Sequence, residues 1–210
     1  MAKAPLAGQA KTRLIPALGA DGAARLAARL LAHAVQQARV AVASLQRDHD
    51  AELILACAPD TSHPAFAAEA ARGGIRLATQ GDGGLGARMQ RAFEQAFSAV
   101  FCGRATGRVV LLGTDAPSLD AARLLEACAA LGNDTDAVVV PAHDGGYALI
   151  GLTRPQPALF DDAAMPWSTP RVMALTRERL VRAGLRHVEL APVYDIDTPA
   201  DLARLDPGWL

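Results

Sequence analysis

The sequence predicts an α/β sandwich with a mostly parallel sheet, and three observations support this prediction. The chain has 210 residues, of which 51% are hydrophobic and 20% are charged, so residues 1–210 can bury a large core as a single domain. Short apolar runs typical of buried strands alternate with segments of helical periodicity along most of the chain. Because parallel strands need crossover connections, this alternation favours a mostly parallel sheet covered by helices.

The helices are predicted from apolar residues that recur three or four positions apart. In residues 20–47 this spacing is kept by Leu26, Leu30, Ala34 and Ala38, which places them on one face of a long helix. The other segments with helical character are residues 63–72, 85–101, 118–131, 169–183 and 199–205.

The strands are predicted from short apolar runs that end at turn residues. The run at residues 108–113 is the clearest, and the run at residues 52–58 ends at a Pro-Asp pair. The remaining predicted strands are residues 75–79, 136–140, 147–152 and 185–190. Residues 1–18 are rich in turn residues and are predicted to form a loop.

The charge balance limits the classes of partner. The formal net charge is −1, from 21 basic and 22 acidic residues, and aromatic residues make up 4% of the chain. Nucleic acid and an anionic membrane surface are therefore not expected partners, and any phosphate binding must be local. No apolar run approaches the roughly 20 residues of a membrane helix, and the start has no secretory apolar region. We expect a cytoplasmic protein that does not bind membranes.

A cluster of cations near the N-terminus is suited to phosphate. Lys3, Lys11 and Arg13 surround Gly8, with no acidic residue nearby. An arginine can grip phosphate with two hydrogen bonds, whereas a lysine acts as a point charge. The loop is not a Walker A motif, because Ala10 replaces the glycine before the lysine. A solvated basic tail is the alternative interpretation.

The segment from Gly81 to Gly86 fits the pattern G-x-G-x-x-G between a predicted strand and a predicted helix. Such a loop can bind the pyrophosphate of NAD. That interpretation also needs an acidic residue about 20 positions later, at the end of the next strand. Asp115 comes later than that and lies in a turn. A flexible glycine-rich turn is therefore the alternative.

Two aspartates are candidates for a cation site. Asp115 follows the clearest strand, and ligands of α/β folds bind at the carboxyl ends of strands. Helix capping explains Asp201 near the C-terminus but not Asp197. Clustered carboxylates repel each other unless a cation bridges them, so a site shared by Asp115 and Asp197 favours Mg²⁺ or Mn²⁺. For Asp115 alone, turn and cap chemistry is the alternative.

Two further segments combine small, aromatic and hydroxyl residues. In the first, glycines after Asp144 permit a close approach of a ligand, and Tyr147 offers a hydroxyl; a hairpin turn with a core tyrosine is the alternative. In the second, Trp167 lines a pocket or fills the core. Ser168 or Thr169 there is equally explained as a helix cap.

Six motifs, taken together in their order along the chain, are more informative than any one of them alone. They are Lys3-Ala-Pro-x-x-Gly8-x-x-Lys11-Thr-Arg-Leu, Gln80-Gly-x-x-x-Leu85-Gly-x-Arg88-Met, Gly113-Thr-Asp115-x-Pro117, Asp144-Gly-Gly-Tyr-x-Leu-Ile-Gly-Leu152, Pro166-Trp-Ser-Thr169 and Asp195-Ile-Asp-Thr-Pro-x-Asp-Leu202. Together they resemble the bacterial GT-A-fold transferases known as radical-SAM/selenodomain-associated glycosyltransferases, over essentially the whole chain. More distantly, the chain is similar to nucleotidyltransferases such as 2-phospholactate guanylyltransferase and the molybdenum-cofactor nucleotidyltransferases.

The resemblance implies a three-layer GT-A sandwich with a mixed, mostly parallel sheet, and it implies roles for individual residues. The nucleotide- and phosphate-binding set would be Lys3, Gly8, Lys11, Thr12, Arg13, Gln80, Gly81, Gly86 and Arg88. The acceptor-binding set would be Asp144, Gly145, Gly146, Tyr147, Trp167, Ser168 and Thr169. Asp115 and Asp197 would hold Mg²⁺ or Mn²⁺, and with Lys11 and Arg13 they would form the catalytic set.

The resemblance also implies a strand ahead of the basic loop, since chains of this family open with an apolar strand there. In this sequence Met1 stands where that strand would end. We therefore expect either a start at an internal methionine of a longer product or a sheet that lacks its first strand.

The function favoured by these motifs is metal-dependent transfer from a nucleotide-sugar donor to a small-molecule acceptor. Nucleotidyl transfer from a nucleoside triphosphate to a phosphorylated small molecule is the second hypothesis. The alternatives of other classes are an NAD-binding oxidoreductase, from the Gly81 loop, and a non-catalytic nucleotide-binding module, because no general base is evident.

Overall fold

The structure is a computed structural model that describes residues 1–100, 107–132 and 134–209. The chain forms two compact units. Unit 1 consists of Met1–Thr79, Gly113–Ala122 and Tyr194–Leu210, and unit 2 of Gln80–Leu112 and Arg123–Val193. That the whole chain is one domain stays a prediction.

Unit 1 contains a three-stranded parallel sheet in the order β1–β2–β3. Its strands are β1 (Ala2–Lys3), β2 (Ile54–Ala58) and β3 (Arg76–Thr79). Helix α1 (Ile15–Leu45) connects β1 to β2, and helix α2 (Pro64–Ala71) connects β2 to β3. Each parallel neighbour thus has the crossover that it requires.

The first strand is short and was not predicted. Ala2 pairs with Cys57 and Lys3 with Ala58 in parallel register. The prediction of a loop over residues 1–18 is wrong for these two residues, because alternation cannot be recognised over so short a run. It is also wrong for residues 12–18, which form the 3₁₀ helix Thr12–Leu14 and the start of the following α-helix. β1 begins directly after Met1, where the resemblance places the end of the expected strand, and its second residue, Lys3, is the first residue of the basic loop motif.

Helix α1 begins earlier than predicted and is interrupted near its start. Gly19 has φ 69° and ψ 168°, so a short first part, with Pro16 in its first turn, precedes the long part. Glycine adopts this positive φ without the steric cost that a side chain would add. Beyond Gly19 the buried face of the helix consists of Ala23, Leu26, Leu30, Leu31, Val35, Ala38 and Ala41.

Unit 2 contains a four-stranded mixed sheet in the order β4–β6–β5–β7. Its strands are β4 (Val109–Leu112), β5 (Ala137–Pro141), β6 (Tyr147–Leu152) and β7 (His187–Glu189). β6 is antiparallel to both neighbours, because the residues 142–146 that join it to β5 are too few for a crossover. β7 follows helix α5 (Val172–Arg182) and is parallel to β5.

The centre of this sheet is apolar and closely packed. Ala137, Val138 and their two successors in β5 are fully buried. A Cβ added at Gly151 of β6 would lie 2.7 Å from Val138 Cγ1 and 2.8 Å from Leu131 Cδ1. Glycine at this position in the strand therefore permits the close packing of its neighbours.

The predicted α/β class is confirmed, and the strands alternate with helices as the sequence indicated. The two remaining α-helices are α3 (Leu85–Val100) and α4 (Ala121–Ala130). Phe101, with which α3 was expected to end, lies outside the described residues. The predicted closing helix is a 3₁₀ helix, Pro199–Arg204. Within the described ranges, no helix combines the length and apolar character needed to cross a membrane.

Candidate functional site

The basic loop of unit 1 begins where β1 ends. Lys3 is exposed, and its Nζ donates to the backbone oxygen of Gln9 at 2.8 Å. Inside the loop, the amides of Gln9 and Ala10 both donate to the oxygen of Leu6, and Gly8 has φ +76°. The loop is thus closed by its own backbone.

The backbone of Lys11 has a conformation that is unusual for a residue with a side chain. It lies in the left-handed region at φ 48° and ψ 44°, immediately before the 3₁₀ helix Thr12–Leu14. A left-handed residue beside right-handed ones turns successive N–H groups toward one point, which makes an anion-binding concavity. In the described part of the chain, the amides of Lys11, Thr12 and Arg13 have no hydrogen-bond acceptor. These free amides suit an anion.

The side chain of Lys11 turns toward two carboxylates that are distant in sequence. Its Nζ lies 2.6 Å from Asp115 Oδ1 and 2.7 Å from Asp197 Oδ1, and it donates to the oxygen of Ile196 at 2.7 Å. The Lys11 side chain is 7% exposed, whereas those of Asp115 and Asp197 are 46% and 40% exposed. Burial alone lowers the pKa of Lys11, but the two carboxylates outweigh it and raise the pKa above its ordinary value.

Backbone hydrogen bonds hold both aspartates in place. The backbone oxygen of Asp115, in the loop after β4, accepts from the amide of Ile196 at 2.9 Å. Asp201 Oδ2 accepts from the amides of Asp197 and Thr198 and from the Thr198 hydroxyl. The helix capping predicted for Asp201 is thus confirmed, in the form of a capping box with Thr198, and it fixes the backbone of Asp197.

The donor chemistry of this cluster fits a divalent cation at one point. The oxygens of Asp115 and Asp197 converge on a single cationic atom, and half-exposed carboxylates leave room for water or phosphate as further ligands of Mg²⁺ or Mn²⁺. The Lys11 ammonium takes that point in this structure. Among the described residues, no group of three or more His, Cys, Asp or Glu residues is arranged to hold a metal, so this cluster offers two carboxylates and no third side-chain ligand of these types.

Two other predicted residues of this loop are open to solvent. Thr12 and Arg13 are exposed, and the Arg13 guanidinium has no hydrogen-bond or ion-pair partner among the described residues. It lies two positions after Lys11, on the same short helical turn. The predicted role of Arg13 in binding phosphate stays a prediction.

In unit 2, the glycine-rich loop is held against helix α3. The oxygen of Gln80, a buried residue, accepts from the Arg91 guanidinium. A Cβ at Gly81 would lie 2.7 Å from Arg91 Nη1. Arg88 Nε donates to the oxygen of Gly83 at 2.9 Å. The predicted nucleotide role of Gln80, Gly81 and Arg88 stays a prediction; what the geometry adds is that two arginines stabilise the loop.

The start of α3 is occupied by a residue that the sequence did not single out. The carboxylate of Asp162 accepts from the amides of Gly86 at 2.8 Å and Ala87 at 3.2 Å. These amides are the ones that a pyrophosphate would need at a helix N-terminus. The contact therefore argues against the interpretation of Gly81–Gly86 as an NAD loop.

A signal for Asp162 was present in the sequence. Helix α3 has no acidic residue in its first turn, and the positions before Leu85 are Gly83 and Gly84. The first amides of a helix need an acceptor from somewhere, so a helix with no capping side chain of its own predicts a cap supplied by a distant residue. Which residue supplies it is a matter of tertiary structure.

The two predicted acceptor segments meet each other in unit 2. A Cβ at Gly145 (φ +90°) would lie 2.4 Å from the oxygen of Pro170, and the amide of Met173 donates to the oxygen of Gly145 at 2.8 Å. The exposed Asp144 caps its own turn by accepting from the amide of Gly146. The motif that contains Gly145 and Gly146 and the motif that ends at Thr169 are thus adjacent.

Tyr147 does not present its hydroxyl to solvent. The hydroxyl donates to Met89 Sδ at 3.6 Å, and burial raises the pKa of Tyr147. This geometry favours the alternative interpretation of a hairpin turn with a core tyrosine.

The second acceptor segment is locally strained. Ser168 has φ 62°, and Thr169 Oγ1 donates to the oxygen of Pro166 at 2.7 Å. Across the described residues, Lys11 and Ser168 are the two non-glycine residues with positive φ. Such backbone strain is concentrated at functional sites in proteins, and both residues belong to predicted site motifs.

Comparisons with known proteins identify the family and the fold. A bacterial family described as "Uncharacterized protein conserved in bacteria (DUF2064)" matches residues 41–169. The chain is also similar to a protein from Desulfovibrio desulfuricans G20 whose crystal structure is described as that of a "putative nucleotide-diphospho-sugar transferase". The identity is 32%, the match covers 93% of this chain and 79% of that chain, and the TM-score is 0.77. This likeness confirms the GT-A-like fold. No curated protein matches the chain.

Proposed function

The chain belongs to the DUF2064 family, and from that premise we propose that it is a transferase that uses a nucleotide-sugar donor. The observation that carries this proposal is that the backbone of Lys11 and its side chain are placed for two different roles. Its backbone opens a row of free amides suited to an anion, and its ammonium neutralises Asp115 and Asp197. A diphosphate needs free amides that donate to its oxygens. The cation that balances its charge needs carboxylates such as those of Asp115 and Asp197. The similar crystal structure, described as that of a "putative nucleotide-diphospho-sugar transferase", supports the same class of donor.

The residues of unit 1 bind and neutralise the diphosphate of the donor. The amides of Lys11, Thr12 and Arg13 would donate hydrogen bonds to its oxygens, and the free Arg13 guanidinium would add a bidentate contact. A phosphate is also the natural alternative partner of the Lys11 ammonium. When the ammonium turns to the phosphate, Asp115 and Asp197 are left to hold Mg²⁺ or Mn²⁺. When bound there, the cation would neutralise charge on the departing diphosphate.

The transfer itself exchanges one bond for another. The bond between the sugar C1 and the diphosphate oxygen breaks, and its electron pair leaves with the nucleoside diphosphate. A bond forms between C1 and a hydroxyl oxygen of the acceptor, whose proton passes to water. Lys11 and Arg13 stabilise the diphosphate as charge develops on it, which is positioning and electrostatic catalysis without a covalent intermediate.

Nucleotidyl transfer is the second candidate, and the charge of the basic loop is compatible with it as well. Three cations, Lys3, Lys11 and Arg13, lie on one short loop, which matches the charge of a triphosphate as well as that of a diphosphate. In that reaction an acceptor phosphate oxygen attacks the α-phosphorus of a nucleoside triphosphate, and pyrophosphate leaves with the electron pair. The released product distinguishes the reactions, since glycosyl transfer yields a nucleoside diphosphate.

The proposal is tested by calorimetric titration with UDP-glucose, GDP-mannose, UTP and GTP, each with and without Mg²⁺. We expect the parent protein to bind at least one of these nucleotides. The variants Lys11→Met and Arg13→Met should weaken binding by about 10–100-fold, as loss of a charge-assisted contact predicts. Arg177→Met is the matched control, because it removes an exposed arginine that pairs with Glu189 on β7. If none of the four nucleotides binds to the parent protein, the proposal is wrong.

A further inference from the structure

Asp162 is the acceptor of hydrogen bonds from two segments that lie far apart in the sequence. Its Oδ1 accepts from the amide of Gly86 at 2.8 Å and from the indole Nε1 of Trp167 at 2.6 Å. Its Oδ2 accepts from the amide of Ala87 at 3.2 Å. One carboxylate thus joins the end of the glycine-rich loop to the only tryptophan of unit 2.

The charge of Asp162 suits this position. A carboxylate at the N-terminus of a helix is stabilised by the helix dipole and by the first free amides. Partial desolvation by itself raises the pKa of Asp162, but the amides of Ala87 and Gly86 and the indole of Trp167 outweigh it and lower the pKa. The side chain is therefore ionised at neutral pH, and all three of its donors approach a full charge.

The packing around these bonds leaves no room for independent movement. A Cβ at Gly86 would lie 2.1 Å from the oxygen of Phe160, 2.5 Å from Asp162 Oδ1 and 3.0 Å from Trp167 Cζ2. A glycine is therefore required where the backbone of residues 160–162 lies against the start of α3. The phenyl ring of Phe160 also stacks on that of Phe93 from α3, with centroids 5.3 Å apart.

The other end of the connection is the predicted acceptor segment. Trp167 is half-buried and is followed directly by the strained Ser168 and by Thr169. Because its indole N–H is bonded to Asp162, the plane of its ring is fixed relative to α3. The same carboxylate oxygen therefore contacts both the loop end at Gly86 and the indole.

We propose that Asp162 is a positioning residue that couples the glycine-rich loop at residues 80–88 to the acceptor segment at residues 167–169. That these are the nucleotide side and the acceptor side of one reaction rests on the proposed function. The coupling itself rests only on the contacts of Asp162. It makes the orientation of Trp167 depend on the state of the loop.

The first experiment uses the ligand-free full chain. It measures the environment of both groups that donate to Asp162, namely the indole of Trp167 and the amides of Gly86 and Ala87. Trp209→Phe leaves Trp167 as the only tryptophan, since the chain has two. In that background, Asp162→Ala should shift the Trp167 emission to longer wavelength and increase its quenching by acrylamide at least about twofold, because the indole loses its acceptor. Hydrogen exchange of the Gly86 and Ala87 amides should accelerate on the order of tenfold, as one lost charge-assisted bond predicts. Unchanged emission and unchanged exchange would overturn the proposal.

A second pair of variants separates coupling from general destabilisation. Trp167→Phe removes the indole N–H but keeps a ring, so we expect the Gly86 and Ala87 amides to stay protected. Asp162→Asn keeps one acceptor oxygen and should restore most of the parent emission if Asp162→Ala does not fold well. A uniform acceleration of exchange throughout unit 2 in both Asp162 variants would mean a purely structural role and would contradict the proposal.

The last arm adds the nucleotide that binds the parent protein in the titrations above. Its binding should change the Trp167 emission in the Trp209→Phe protein, and this change should be lost in Trp209→Phe/Asp162→Ala although the nucleotide still binds. A retained emission change in the double variant overturns the coupling. If no nucleotide binds even to the parent, the proposed function fails, whereas the ligand-free measurements still decide the role of Asp162.

Discussion

Lys11 donates from Nζ to Asp115 Oδ1 at 2.6 Å, across an interval of the chain that contains both β2 and β3. The ammonium is buried while the carboxylate is half-exposed. The protein therefore carries its own cation at the point where Asp115 and Asp197 converge. A divalent cation bound by these two aspartates, as we propose, would have to compete with this lysine.

The first prediction concerns that competition. Lys11→Met should increase the affinity for Mn²⁺ in the absence of nucleotide by about tenfold, because removal of an opposing cation frees two carboxylates. Manganese titration followed by electron paramagnetic resonance measures it. Arg177→Met should leave the Mn²⁺ affinity unchanged, since its ion pair with Glu189 is elsewhere in the chain. Equal Mn²⁺ affinities in the parent protein and Lys11→Met would show that the ammonium does not compete with the cation for the two carboxylates.

The second prediction concerns stability in alkali. The folded-state pKa of Lys11 is raised above its ordinary value of 10.5. Its contribution to stability is therefore fully present below the unfolded-state pKa and is lost as the pH rises through the folded-state pKa. Urea unfolding from pH 9 upward should show a loss of stability above about pH 10.5 that is smaller in Lys11→Met. Parallel curves for the two proteins would exclude this linkage.

The third prediction tests the close approach at Gly86. Gly86→Ala places a methyl group 2.1 Å from the oxygen of Phe160, so it should destabilise the protein by about 3 kcal/mol. Gly208→Ala is the control, because nothing lies within 4 Å of its added Cβ, and it should change stability by less than about 0.5 kcal/mol. Denaturant unfolding measures both. A neutral Gly86→Ala would mean that residues 160–162 are not held against α3.

The fourth prediction concerns the cap beside Asp197. Asp201→Ala removes the acceptor for the amides of Asp197 and Thr198, which should cost about 1 kcal/mol of stability. Because the backbone of Asp197 is then less well fixed, Mn²⁺ affinity should also fall a few-fold. Asp48→Ala, at an exposed position after α1, is the control. A loss of stability with unchanged Mn²⁺ affinity would separate the cap from the cation site.

Individual site residues were predictable from local chemistry, whereas their partners were not. Asp115 follows a strand and Asp197 precedes a cap, and both signals are local. That Lys11 stands between them depends on a left-handed backbone and on a contact across 186 positions, which no periodicity encodes. The resemblance brought the two aspartates together, but it assigned the point between them to a metal and Lys11 to phosphate.

For the fold, too, features with a local sequence signal were predictable, whereas those without one were not. Helices and most strands have boundaries within a few residues of their apolar patterns. β1 was missed because two residues cannot display alternation. Asp162 was missed because the amides it serves lie 76 and 75 positions away, and only the lack of a local cap at α3 pointed to such a residue.

The segment from Phe160 to Pro170 is pinned at both ends, by Gly86 at one and by Gly145 at the other. At each end, a backbone oxygen or carbon of the segment lies so close to the glycine that an added methyl group would not fit. These two close contacts are the anchors of the segment, and neither can shift along the glycine that it contacts. The length of the segment is thereby set. Side chains between the two anchors can therefore be exchanged by evolution or protein engineering, whereas insertions and deletions there would break one anchor or the other.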